Sequence, residues 1–169
     1  MFLEFAKAVG GSALSQWVQS HLWLTPLLQS IHIVMIGVVF IAIFMISLRV
    51  LGRVGTDETF AAVWARFSPW IWIGVTVMAV TGVVLSIGEP VREASAMSFW
   101  LKMTLIVIGI LSALAFGGAM RPLAHVGSAQ FSGGAKLVAA GTLVLWLFII
   151  FLGRAIAYDV EVWGSWHLG

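Results

Sequence analysis

The sequence predicts an all-α integral membrane protein, a four-helix transmembrane bundle with short interfacial helices, formed as a single domain over residues 1–169. Three observations predict it. Hydrophobic residues make up 61% of the 169 and charged residues 9%, where a soluble domain carries about 25% charged, and the mean hydropathy is +1.06. Crossing about 30 Å of hydrocarbon takes about 20 mostly apolar residues, and the chain holds four runs of that length. The segments between the runs are short and carry helix stops and most of the charges.

The spans are expected at about 25–51, 69–88, 98–120 and 134–158. The first opens on Thr25-Pro26, read as an N-cap followed by proline at the first helical position, and ends at Arg49 and Gly52. Ser68-Pro69 opens the second in the same way, and Gly88-Glu89-Pro90 stops it. The third is closed by Arg121-Pro122, and the fourth ends where Asp159 and Glu161 return the chain to water. Between the first two spans, Thr56 is expected to cap a separate interfacial helix with Asp57 and Glu58 in its first turn and Phe60, Val63, Trp64 and Phe67 at helical spacing. The N-terminal stretch, with Phe2, Leu3, Phe5, Val9, Leu14, Trp17 and Val18, reads as an amphipathic piece in the membrane interface, interrupted by Gly10-Gly11, and not as a cleaved signal peptide.

Small residues mark packing faces. Ser98, Lys102, Leu105, Gly109, Ser112 and Phe116 share one stripe of the third span, and Gly74, Met78, Thr81, Leu85 and Gly88 share one of the second. Both stripes are expected to face the bundle interior.

Orientation follows from the basic residues. Arg49, Arg53, Arg66, Arg121 and Lys136 lie on the side of the first and third loops, opposite Lys7, Arg92, Lys102 and Arg154. The positive-inside rule then makes those loops cytoplasmic and puts both termini on the outer, periplasmic side of a bacterial inner membrane. Tryptophans near the span ends form an aromatic belt.

Composition excludes several function classes. With no cysteine, the chain has no disulfide, iron–sulfur, thiolate-zinc or covalent c-type haem chemistry. The net charge of +2 is scattered and leaves no nucleic-acid footprint. No Ser/His/Asp arrangement, phosphate-binding glycine loop or HExxH motif marks a hydrolase or transferase, and no paired carboxylates sit at mid-membrane for proton-coupled transport.

Ionisable groups inside a bilayer are costly and are therefore candidates for function. His32 lies about two turns into the first span, Lys102 about one turn into the third, and Arg154 about one turn from the end of the fourth. Gln29, Tyr158 and Glu89 fall near the same depth. A neutral imidazole there suits an axial ligand of b-type haem, and two cations suit its propionates; the same set suits a quinone or another anionic head group. His167, in the tail, is a candidate second ligand. His21 precedes the first span, and His125 is on the opposite side.

Trp23-Leu24-Thr25-Pro26-Leu27-Leu28-Gln29-Ser30-Ile31-His32, the basic end Leu48-Arg49-Val50-Leu51-Gly52, Pro69-Trp70, Thr81-Gly82 and Phe99-Trp100-Leu101-Lys102 together resemble an uncharacterised family of small four-helix bacterial inner-membrane proteins. The resemblance covers roughly residues 20 to 120. That family usually has an Asp before the Leu-Arg pair, where this chain has Ser47. More distantly, a His in the first helix with a Lys in the third is similar to the membrane domains of copper-resistance protein D and of the small membrane-type protoporphyrinogen oxidase. That similarity implies b-type haem and redox chemistry at His32, with Lys102 close by.

Three readings follow. One is a haem-b-binding membrane subunit that passes electrons between an outer-side donor and quinone or a partner subunit. Another is a cofactor-free structural subunit anchoring a larger membrane complex, and the third is binding or transport of a metal ion or small anion. The partners expected are membrane lipid and other membrane or periplasmic subunits, or further copies of this chain.

Overall fold

A computed structural model describes residues 2–120 and 131–164 of the protein. Eight α-helices lie among them: α1 (Phe2–Gly10), α2 (Ala13–Ser20), α3 (Leu24–Val50), α4 (Phe60–Gly88), α5 (Pro90–Ser95), α6 (Met97–Met120), α7 (Gly133–Ala155) and α8 (Asp159–Trp163), the last two joined by a 3₁₀ turn at Ile156–Tyr158. No strand occurs among the described residues. Four helical stretches, Leu24–Val50, Phe60–Gly88, Met97–Gly118 and Gly133–Trp163, are long and apolar enough to cross a membrane. The expected third-span stop at Arg121-Pro122 lies outside the described residues.

Two expected helix starts are corrected. α3 begins at Leu24, one residue before the assigned cap, and Trp23 precedes it with no side-chain cap bond. Thr25-Pro26 is inside the first turn, where the missing proline N–H is harmless because the first four donors of a helix have no internal partner. The separate helix capped by Thr56 does not form. Instead Thr59 caps a continuous α4, its hydroxyl accepting from the Ala62 N–H at 3.3 Å, and the helix runs through Pro69 to Gly88. Pro69 removes one ladder bond, but a transmembrane helix tolerates this where neighbouring helices support it. Asp57 and Glu58 are left in the connection before the helix.

α3 stops as its sequence dictates. Gly52 has φ 73°, its N–H bonds the Arg49 carbonyl at 3.2 Å, and the Arg53 N–H bonds the Leu48 carbonyl at 2.9 Å. This pair of bonds around a left-handed glycine is a Schellman cap.

α3 packs most extensively on α4, and α7 bridges α3 to α6. The α3–α4 approach is close enough that a Cβ on Gly74 would overlap the Val39 side chain. Both small-residue stripes face inward: Gly74, Thr81 and Gly88 on α4 and Ser98 and Gly109 on α6 are buried, with the other stripe members half-buried. A Cβ on Gly109 would sit 3.6 Å from Leu145 and 3.7 Å from the Trp146 ring. Gly109→Leu is therefore expected to cost about 2 kcal/mol by overpacking, a melting-temperature loss of about 6 °C. Ile108→Leu, at a position 46% exposed, should leave the melting curve unchanged; equal melting of the two variants would remove the assigned face.

Around α3 the packing is tight at one end and loose at the other. All seven buried residues of α3, from Val39 to Val50, lie in its second half, and none lies between Leu24 and Val38. The apolar core gathers with them, around Ile43, Ile46, Phe60, Val63, Phe131 and Ala139. A cavity of about 40 Å³ lined by all four long helices, including Ser47, Trp64, Ser112 and Thr142, has room for water but is far below the size of a ligand pocket.

The loose end is closed by the N-terminal helices. Ser12 caps α2 by accepting from the Ser15 N–H at 3.2 Å, and the Ser15 hydroxyl donates to the Ile87 carbonyl at 2.7 Å. Gln19 Nε2 donates to the Gly88 carbonyl at 2.9 Å. α2 thus satisfies carbonyls at the C-terminus of α4 that its own ladder leaves free. Phe5, Leu14 and Trp17 remain exposed on the other face, as an interfacial helix requires.

Candidate functional site

The loose end brings together side chains from four helices. His32 projects from the unburied half of α3, half-buried, with Nδ1 2.8 Å from Thr81 Oγ1 on α4. The Thr81 hydroxyl donates to the Val77 carbonyl at 2.9 Å, with the Met78 carbonyl at 3.2 Å. A hydroxyl has one hydrogen and two lone pairs. With that hydrogen on the helix backbone, Thr81 would accept from His32 Nδ1–H and leave the lone pair on Nε2, the form in which a second-shell hydrogen bond holds a metal-ligating imidazole. Gly82 lies beside the ring, 3.6 Å from Cε1 to the position a Cβ would take, so a small side chain adjoins the imidazole edge.

Lys102, on α6, is half-buried. Its ammonium is 5.4 Å from the centroid of the Phe99 ring, its stem lies beside Gly153 of α7, and it is within electrostatic reach of both His32 and Glu93. Glu93, on α5, accepts from the Ser86 hydroxyl at 2.6 Å. The sequence reading missed Thr81 as the histidine's partner and missed Glu93 and Ser86 altogether. It placed Glu89 near this depth instead, but Glu89 is exposed and pairs with Arg92 at 2.6 Å. The signal for Glu93 was available in the spacing: Pro90 starts a new short helix, and one turn later Glu93 comes round to face α4.

The other candidates are not drawn in. Gln29, Arg154 and Tyr158 are all exposed and form no hydrogen bond or ion pair with a described residue. His21 is turned to the Trp17 carbonyl at 2.7 Å, its ring 4.5 Å from that of Trp17. His167 and His125 lie outside the described residues.

Asp159 is a further correction. Expected in water, it is 4% exposed and its carboxylate accepts from the backbone N–H groups of Met97 and Ser98, both at 2.9 Å. It caps α6 from across the bundle, at the end where negative charge is favoured, and Trp163 Nε1 reinforces the contact by donating to Ser98 Oγ at 2.7 Å. These bonds fix the start of the helix that carries Lys102.

The donor set can be tested against haem. One imidazole with a free Nε2 on a loosely packed face, beside one cation, fits a single axial ligand and one propionate partner. The described residues contain no group of three His, Cys, Asp or Glu that would hold a bare metal ion, and the other described imidazole, His21, is turned to the Trp17 carbonyl. No family model, curated protein or solved structure matches the chain.

Proposed function

We propose that the protein is a b-type haem-binding subunit of a bacterial plasma membrane, with His32 as the axial ligand. The observation that supports this best is the 2.8 Å contact of His32 Nδ1 with Thr81 Oγ1, which leaves Nε2 as the ring nitrogen without a described hydrogen bond. Lys102 would hold a propionate. Bound there, haem would supply one-electron chemistry between a donor and quinone or a partner subunit. The test is an optical spectrum of protein purified in detergent from haem-supplied cells, oxidised and then reduced with dithionite. A Soret band with sharp reduced α and β bands is expected. A spectrum featureless beyond the tryptophan absorption would remove the haem reading.

A second reading, a cofactor-free anchoring subunit, draws on α6. Only 6% of its span is buried within the chain, against 22–28% for the other three, so most of its surface faces lipid or another subunit. The same spectrum separates the two readings.

Both readings place the His32 end outside the cytoplasm, because Arg49, Arg53, Arg66 and Lys136 occupy the opposite end. A reporter active only outside the cytoplasm is expected to work when fused after Gly169 and to fail when fused near Gly127; the reverse pattern would invert the topology.

A further inference from the structure

Arg49, at the tight end of the bundle and remote from His32, is 0% exposed. Its Nη2 donates to the Glu58 backbone carbonyl, and the guanidinium carbon lies 5.9 Å from the centroid of the Phe131 ring. Nε and Nη1 are buried and have no acceptor.

A buried guanidinium with unpaired donors is destabilising unless something completes it, and none of the Asp or Glu side chains does so. All seven of its Asp and Glu side chains lie among the described residues. Glu4, Glu89, Glu93, Asp159 and Glu161 belong to the other end. At this end the Glu58 carboxylate is taken by Arg66 at 2.6 Å, and Asp57 is exposed, accepting from Thr56.

We propose that Arg49 is the centre of an oxyanion site that takes a phosphate group. The planar guanidinium fork matches phosphate oxygens and presents donors to more than one of them. Arg53 and Lys136 give the surrounding end an excess of positive charge that draws anions to it. One neighbour of Arg49 is the connection from Leu51 to Thr59. That connection meets Arg49 through Gly55, whose added Cβ would lie 3.5 Å from the Arg49 Cδ, and through the single bond to the Glu58 carbonyl. Most of its residues are exposed, so a phosphate enters by displacing this connection and not by passing through the core.

The phosphate has two possible sources, an anionic lipid head group of the adjoining leaflet or free phosphate from the aqueous phase. Melting is measured in phosphatidylcholine vesicles, in vesicles with added phosphatidylglycerol, and in phosphatidylcholine with inorganic phosphate. The expected result is a rise of about 3 °C in wild type and in the control Lys7→Gln, exposed at the other end of the bundle, and none in Arg49→Gln. A rise with phosphatidylglycerol identifies the lipid head group, and a rise with inorganic phosphate identifies the free ion. No rise in wild type, or an equal rise in Arg49→Gln, overturns the proposal. If Arg49→Gln does not fold, native mass spectrometry of the wild-type protein decides. One phosphate-bearing molecule retained per chain supports the site, and a bare chain from both lipid mixtures refutes it.

Discussion

His32→Ala is expected to abolish the haem absorbance of the purified protein, because His32 is the imidazole held inside a span with a free ligating nitrogen. His125→Ala, on a loop assigned to the opposite side, should leave the spectrum unchanged. Thr81→Val removes the acceptor that fixes the tautomer while keeping the side-chain shape. Loss of such a second-shell partner typically weakens metal affinity about 10–100-fold, so haem should be retained at lower occupancy with a shifted reduction potential, and Thr81→Ser should restore both. Lys102→Ala should be intermediate, since a propionate partner is lost and the iron ligand is kept. Arg154→Ala should be close to silent, because its side chain is exposed and bonds no described residue. Retained haem with unshifted bands in His32→Ala would sink the site assignment even if the protein is a cytochrome, and the ligand would then have to come from His21, from His167 or from another chain. A chain that never shows a chromophore, in wild type or variant, leaves the anchoring reading standing.

What the sequence made legible was whatever depends on local pattern and on the bilayer as solvent. Four apolar runs of span length, the inward stripes through Gly74 and Gly109, and the stop of α3 at Gly52 all follow from helical periodicity and backbone geometry that a linear reading contains. The misses share a different cause. Pro69 reads as a helix start because an isolated helix loses a bond there, yet α4 continues through it supported by its neighbours, with Thr59 as its cap. Asp159 reads as a return to water because a carboxylate after an apolar run usually is one; its burial depends on two N–H groups at the start of α6, about sixty residues earlier. Glu93 was passed over for Glu89 because which of two acids on a short helix turns inward is decided by the neighbour it meets, here Ser86. Arg49 reads in the sequence as the end of a span and a marker of topology, and its unpaired burial appears once Phe131 and the Glu58 carbonyl are seen around it.

Asp159→Ala is expected to be the most damaging single change at the polar end of the bundle. Its carboxylate accepts two backbone N–H bonds at 2.9 Å, and hydrogen bonds to a charged group contribute about 1.5–3 kcal/mol each. Removing the acid leaves one buried and one half-buried donor at the N-terminus of α6 without this partner and takes a negative charge from the positive end of the helix. A loss of about 3 kcal/mol corresponds to a fall in melting temperature of about 9 °C for a chain of this size. Asp159→Asn keeps one acceptor oxygen and turns an NH₂ group toward the other N–H, so it should recover only part of the loss. Glu161→Ala, two residues on and exposed, should melt as wild type does. Because Lys102 follows Ser98 by about one turn of α6, Asp159→Ala should also disturb the surroundings of His32. In protein that binds haem, the variant is expected to show a shifted reduction potential at temperatures well below its own melting point. Wild-type melting in Asp159→Ala would show that the carboxylate does not cap α6, and an unshifted potential would separate the cap from the placement of Lys102.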